Sequence, residues 1–466
     1  MLEFHVATSY AFSPANVFKH MKLYLTKKGD ESGLVRQPDL EFSTAFAEEE
    51  GALVNIEDDF EYQTIHGFGG ALTEASAETF AKLPEPVKAE LLRRYYDPEE
   101  GIGYTHARLH INSCDFALGN YAYDETDGDV ELKHFDMSHD ERAIFPLARA
   151  AAAAAGRPLW ILGSPWSPPA WMKTTGQMNR GGKLRPECRD AWARYYVKFV
   201  EGCRAAGVPV SALSVQNEPK ATQSWDSCVY TAEEERDFVR DHLGPALRAA
   251  GLADSVALFF WDHNKERVLE RARAMLGDPV AAPMVAGIAV HWYSGSHFEQ
   301  LRMFSERYPD KEILLSECCC EFSVKALADL WVQAEHYAED ISGNLNNGLS
   351  RWIDWNVLLD AEGGPNHVRN FCNAPFRANA DYSAIVAQPS FYAIGHYSRF
   401  IRPGARRIGW SAYTQDLDVT AAKNPDGSIA VVVHNRADRD LPVHLRFHGD
   451  IAKSALPARA IATYVF

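Results

Sequence analysis

The chain reads as an α/β protein: a (β/α)8 barrel with an attached β-sandwich built from both chain termini. Three observations predict it. Eight short apolar runs are spaced through the middle of the chain with helix-like patterns between them, the number that a closed parallel barrel requires. Two of those runs, Ser214-Val215-Gln216-Asn217-Glu218 and Ile313-Leu314-Leu315-Ser316-Glu317, end on a glutamate, at the strand end where such barrels keep their chemistry. The last seventy residues or so carry short alternating runs around turn residues, an antiparallel pattern.

Taken in order, residues 3–10 and 51–63 are β-prone and are assigned to the sandwich. The barrel strands are expected at 64–69, 104–110, 158–163, 212–216, 256–261, 287–293, 312–317 and 352–356. Helix starts between them carry capping-box spacing: Ser138 with Glu141 before the Ala-rich 143–155 segment that Gly156 closes, and Thr231 with Glu234 before Phe238 and Leu243. After the barrel come β-runs at 417–422, 429–434 and 443–447, the first two joined by Asn424-Pro425-Asp426-Gly427. This divides the chain into N-terminal sandwich strands over 1–62, a catalytic barrel over 63–395 and the rest of the sandwich over 396–466.

Composition excludes some classes. With 46% hydrophobic and 24% charged residues over 466 positions, the chain can bury a large core. A formal charge of −16 opposes a nucleic-acid partner, which a basic face would attract. No run of eighteen apolar residues occurs, so no membrane span is expected. The opening Met1-Leu2-Glu3-Phe4-His5-Val6 lacks the pattern of a secretory leader, and three adjacent cysteines, Cys318, Cys319 and Cys320, do not resemble a disulfide framework. A reducing, cytoplasmic location is therefore expected, with secretion the alternative.

A pair of strand-end glutamates suits a retaining glycosidase, in which one carboxyl protonates the leaving oxygen and the other attacks the anomeric carbon. The acid must hold its proton, so its pKa should be raised by an apolar setting or by the other carboxylate. Glu218 and Glu317 are the candidate pair. Glu321, four residues further on, is the rival to Glu317. His106, Arg108 and His110 alternate on one strand face and read as a hydrogen-bonded polar layer rather than a metal site. Gly67–Gly70 lacks phosphate-loop spacing and reads as close backbone approach.

Seven motifs extend this reading: Ile65-His66-Gly67-Phe68-Gly69-Gly70-Ala71-Leu72-Thr73-Glu74; Asn112-Ser113-Cys114-Asp115-Phe116; Ser164-Pro165-Trp166-Ser167-Pro168-Pro169-Ala170-Trp171-Met172-Lys173; Val215-Gln216-Asn217-Glu218-Pro219; His291-Trp292-Tyr293; Leu315-Ser316-Glu317; and Asp354-Trp355-Asn356 with Gly363-Gly364-Pro365-Asn366. Together and in this order they resemble glycoside hydrolase family 30, the family of lysosomal glucosylceramidase and microbial β-1,6-glucanases. The resemblance runs from about residue 60 to the C-terminus and implies a barrel with a β-sandwich and double displacement through a covalent glycosyl-enzyme, with no cofactor and no metal. It implies Glu218 as acid/base and Glu317 as nucleophile. Asn217 is similar to the family residue that binds the sugar 2-hydroxyl. Asp115, Trp166 and Trp355, with Asn370, resemble the lining of the first sugar subsite. His291 and Tyr293 resemble the polar shell around the nucleophile, with Arg108 in support.

The implied substrate is a β-glucoside. The loops 221–228 and 181–184 are closer to the β-1,6-glucanase branch, so a β-1,6-linked gluco-oligosaccharide or glucan is expected. Glucosylceramide and β-xyloside are the alternatives within the same mechanism. A non-catalytic carbohydrate-binding protein is the competing class, opposed by the presence of both carboxylates.

Overall fold

A computed structural model describes residues 20–29 and 33–466. The β-prone 3–10 segment lies outside the described residues. Strands β1 (His20–Thr26), β2 (Val35–Glu41) and β3 (Leu53–Ile65) precede the eight barrel strands. These are β4 (Gly67–Ala71), β5 (His106–Ile111), β6 (Trp160–Pro165), β7 (Ala212–Ser214), β8 (Ala257–Asn264), β9 (Gly287–His291), β10 (Glu312–Glu317) and β11 (Arg351–Asn356). They close in the order β10-β11-β4-β5-β6-β7-β8-β9, every pairing parallel. The first expected barrel strand shifts. Thr64 and Ile65 belong to β3, and the barrel strand starts only at Gly67. At Gly69 a Cβ would stand 2.0 Å from the His106 carbonyl oxygen, so glycine there lets β4 and β5 pair closely.

A small hairpin, β12 (Phe376–Ala378) and β13 (Ile385–Ala387), follows the barrel. After it come β14 (Ala405–Ala412), β15 (Leu417–Lys423), β16 (Ile429–Asn435), β17 (Leu441–Phe447), β18 (Asp450–Leu456) and β19 (Ile461–Val465). With β1–β3 these six make one nine-stranded sheet, β18-β17-β3-β14-β15-β16-β19-β1-β2, whose two end strands touch. It folds around its own core of Met21, Val54, Ile408, Val419, Val431, Val443, Ala452 and Ala462. The β15–β16 and β17–β18 pairs are antiparallel hairpins, as the turn chemistry predicts, but β17 lies parallel to β3.

The helices follow the sequence signals unevenly. Thr231 and Glu234 form a complete capping box at the start of the 232–238 helix. Ser138 does not cap: its hydroxyl donates to Asp136, a short 3-10 turn intervenes, and the helix begins at Ile144 without a side-chain cap. Of the described helices, none is long and apolar enough to cross a membrane.

What positions the chemistry is the alternation inside the barrel. Leu162, Ala212, Phe259, Ala289, Leu314 and Ile353, one from each of six adjacent strands, form an apolar plug. Two residues further along β6, β7, β9 and β10 the inward side chains are Ser164, Ser214, His291 and Ser316, as a period of two requires. On β8 the register shifts between Trp261 and His263, where Trp261 and Asp262 take positive φ of 75° and 51°. That bulge turns Asp262 instead of Trp261 toward the axis.

Candidate active site

Glu317 ends β10 and Glu218 lies four residues beyond β7, and both line one cavity of about 160 Å³ at the C-terminal mouth of the barrel. Most of the predicted subsite residues line it too: Asp115, Trp166, Asn217, Tyr293, Trp355 and Asn370. Arg108 and His291 lie beneath its floor, fully buried. A larger cavity of about 650 Å³ near Glu312, Arg406 and Arg407 holds neither glutamate.

Arg108 is the hub. Its Nη1 donates to Glu317 Oε2 at 2.7 Å, Nη2 donates to Asp262 Oδ2 at 2.8 Å and to Asn217 Oδ1 at 3.0 Å, and Nε donates to Ser164 Oγ at 3.1 Å. Trp166 and Trp355 stack on each other at 5.2 Å between ring centroids, with the guanidinium over both rings. The Tyr293 hydroxyl donates to the other Glu317 oxygen at 3.0 Å. Glu317 therefore has a fixed orientation, with a donor on each oxygen.

Glu218 is held differently. Its φ of +47° is unusual for a residue with a side chain, and its amide donates to the Asp262 carbonyl at 2.9 Å. The Asn217 amide donates to the Pro165 carbonyl at 2.8 Å, so this turn is tied to β6 and β8 at once. His291 spans the two acids, with Nδ1 3.3 Å from Glu218 Oε1 and Nε2 3.0 Å from Asp262 Oδ1. A second imidazole, His263, places Nδ1 3.6 Å from the same Glu218 oxygen.

The protonation pattern departs from the sequence expectation. Burial pushes the Glu218 carboxyl up, but the His291 hydrogen bond and the charges of His263 and His291 win and hold it below the usual range. Burial raises Glu317, and Glu218 adds to that against the pull of His291 and Arg108. Burial disfavours the His291 imidazolium, yet Glu317, Asp262 and Glu218 lift its pKa to about 9. The low Glu218 carboxyl beside the raised His291 imidazole favours the proton on His291 instead of on an isolated raised glutamic acid. Asp115 is pushed well up by burial and by the charges of Glu317 and Glu218, while Asn370 donates to it at 3.3 Å.

The rival carboxylate, Glu321, has left the strand: it lines the cavity rim, where it bridges to Cys372. His106 and His110 are both buried and hydrogen-bonded. His106 contacts Arg351 Nη1 at 2.8 Å, and His110 accepts the Glu74 amide at 3.0 Å and donates to the Asn112 carbonyl at 2.6 Å. Sequence reasoning missed Asp262, His263 and Asn264, and placed cavity-lining Gln223 and Trp225 only within the 221–228 loop. The signal was Asp262-His263-Asn264, a polar run directly after the apolar Leu258-Phe259-Phe260-Trp261. All eight cysteines are free and buried, and Cys319 and Cys372, 3.5 Å apart at sulfur, form part of the cavity wall.

The comparisons agree with this geometry. The glycosyl hydrolase family 30 TIM-barrel domain matches residues 65–401, and the family's β-sandwich domain matches residues 404–464. The chain is 34% identical over 436 residues to lysosomal acid glucosylceramidase of Mus musculus, spanning 89% of this chain and 84% of that protein. It is 27% identical over 429 residues to endo-1,6-β-D-glucanase of Neurospora crassa, spanning 86% and 85%. Of the solved structures, SrfJ from Salmonella typhimurium superposes with a TM-score of 0.92 at 36% identity, over 96% of this chain and 99% of that chain. An endo-β1,6-glucanase superposes with a TM-score of 0.85 at 27% identity, over 96% and 99%. A parallel barrel carrying two mouth glutamates, joined to a β-sandwich and matched along its length by these domains, belongs to glycoside hydrolase family 30 and is a glycoside hydrolase.

Proposed function

We propose that the chain removes a single terminal β-D-glucosyl unit from an amphiphilic glucoside of the glucosylceramide kind, by double displacement with Glu317 as nucleophile and Glu218 as acid/base. The cavity supports the one-sugar part. At about 160 Å³ it is well below the roughly 300–1,000 Å³ of drug-sized sites, which suits one ring with its leaving group directed outward. The observation that carries the lipid reading is a set of exposed apolar side chains that follow cavity-lining residues closely in sequence. Leu118, two residues after cavity-lining Phe116, is 54% exposed, and Phe322, next to cavity-lining Glu321, is 44% exposed. Val324 beside it is 41% exposed. Apolar side chains left in water beside a polar sugar site suit a hydrocarbon aglycone. Identity to a glucosylceramidase, higher than to the glucanase, points the same way. The formal charge of −16 favours a neutral lipid surface or micelle over an anionic one.

In this reading the Glu317 carboxylate, oriented by Arg108 and Tyr293, attacks the anomeric carbon. Glu218 gives the leaving oxygen a proton, with His291 Nδ1 3.3 Å away to relay it. Once the ester has formed, the Glu317 charge is gone, and Glu218 takes a proton from water for the second displacement. Trp166 and Trp355 offer ring faces to the sugar, and Asp115, Asn217 and Asn370 offer polar atoms to its hydroxyls.

A β-1,6-linked glucoside is the second reading, favoured by the 0.85 TM-score to the endo-β1,6-glucanase. Hydrolysis of glucosylceramide in detergent, gentiobiose, pustulan oligosaccharides and an aryl β-xyloside, each with wild type and Glu317→Gln, separates the two. Glu317-dependent release of glucose from the ceramide, lost in Leu118→Ser/Phe322→Ser, is the expected result. Preference for gentiobiose or pustulan replaces the lipid reading with the β-1,6 one, and no turnover of any substrate overturns the catalytic assignment.

A further inference from the structure

His263 has no part in the double displacement, yet its setting is specific. It is largely buried, its Nδ1 has no hydrogen-bond partner, and that nitrogen faces the acid/base at 3.6 Å. His291 approaches the same Glu218 oxygen from the neighbouring strand at 3.3 Å. One ring nitrogen from each histidine and a Glu218 oxygen all lie within 4.8 Å of one another.

These separations have a chemical meaning. Ligand atoms about 2.0–2.1 Å from a tetrahedral zinc ion stand about 3.4 Å from each other. The 3.3 and 3.6 Å separations from the Glu218 oxygen bracket that value, and the third separation, between the imidazoles, lies within 4.8 Å. Two imidazoles and a carboxylate are a recurrent donor set for zinc-type ions. The outer support is also present, since the other His291 nitrogen is held 3.0 Å from the buried Asp262 carboxylate, the arrangement that orients metal-binding histidines. The Glu218 and His263 side chains each keep 13% of their surface exposed and both line the cavity, which leaves an open fourth position and a path for the ion.

We propose that Glu218, His263 and His291 form an inhibitory site for one divalent transition ion of the zinc type, which on binding takes the acid/base out of the reaction. The ion displaces to solvent any proton on the ligand atoms it takes. The Glu218 oxygen, engaged by the ion, then has no proton to give to a leaving group. The site itself stands apart from the substrate reading; only its inhibitory consequence rests on the Glu218 assignment.

Calorimetric titration of the full chain with zinc chloride, and visible absorption during titration with cobalt chloride, test the site without turnover. The wild type should take up one ion, with d–d bands for cobalt in a low-coordinate nitrogen and oxygen set. His263→Asn should weaken uptake at least tenfold. Glu218→Gln should do the same, and His134→Asn, which alters an exposed histidine paired with Asp129, should change nothing. Hydrolysis of an aryl β-glucoside should fall in step with occupancy and return with EDTA. No uptake up to millimolar zinc, or uptake indifferent to both His263→Asn and Glu218→Gln, overturns the site. Uptake lost in those variants while zinc leaves wild-type hydrolysis untouched overturns the inhibitory role. A chain that hydrolyses nothing would refute the function proposed above while leaving the titration to decide on the site.

Discussion

Arg108 donates from Nη1 to Oε2 of Glu317 across 2.7 Å with its guanidinium wholly out of solvent. The same group serves Asp262 and Asn217, so one buried cation sets the geometry of three site residues. Arg108→Met leaves two buried carboxylates without their cation. A loss of stability of about 3–5 kcal/mol is expected, since breaking a buried pair strands a charge. Arg108→Lys keeps the charge but loses the fork, and should lower kcat/KM by roughly a hundredfold or more. Thermal melts and steady-state kinetics check both; a lysine variant with wild-type kinetics would remove Arg108 from its orienting role.

The two glutamates have separable signatures. Glu317→Gln should abolish glycosylation of every substrate. Glu218→Ala should slow substrates with poor leaving groups by about 10²–10⁴-fold and spare activated aryl glucosides. Azide should rescue it and yield a β-glycosyl azide, identified by NMR. Failure of rescue together with equal loss on all leaving groups would count against Glu218 as the acid/base.

The pH profile should carry the mark of His291. Its pKa of about 9 lies above the ordinary imidazole value, so the imidazolium proton beside Glu218 is present below that pH and lost as pH rises through it. The basic limb of kcat/KM is accordingly expected near pH 9. In His291→Asn the proton resides on Glu218 alone, a carboxyl, and the limb should move to lower pH by roughly two units or more. An unmoved limb would place the proton elsewhere.

His396 couples the two halves of the molecule. Its ring nitrogens lie 2.8 Å from Thr26 Oγ1 on β1 and 2.7 Å from Thr463 Oγ1 on β19, while the residue itself belongs to the 389–398 helix. Burial, with His434 nearby, lowers its pKa to about 3. The folded state therefore holds His396 neutral where an unfolded chain would bind a proton, and the stability this gives is complete above pH 6.5 and lost as pH falls toward 3. Between pH 6.5 and 5 the loss amounts to about 2 kcal/mol. His396→Gln should flatten that part of a urea-denaturation series against pH; identical wild-type and variant slopes would refute it.

Much of this fold is legible along the chain because a barrel strand is buried on both faces and reads as an apolar run. β10 is an example, Glu-Ile-Leu-Leu-Ser-Glu, buried in all but its first residue. β1 and β2 were not legible. β2, Val-Arg-Gln-Pro-Asp-Leu-Glu, sits at the end of the sheet with no fully buried residue, so burial left no hydrophobic pattern to read. Ser138 shows the converse, a local signal overruled when its hydroxyl found Asp136.

The sequence by itself determined the architecture and the two glutamates at the barrel mouth, because strand period and chain order are local properties. Asp262 entered the site through a bulge whose backbone angles no local pattern announces. The protonation of the pair was decided only in three dimensions. Glu218 falls and Glu317 rises because His263 and His291, from β8 and β9, stand beside one carboxyl while burial dominates at the other. Distance and desolvation set those shifts, and His263 and His291, 45 and 73 positions from Glu218 in sequence, become its neighbours only when the barrel closes.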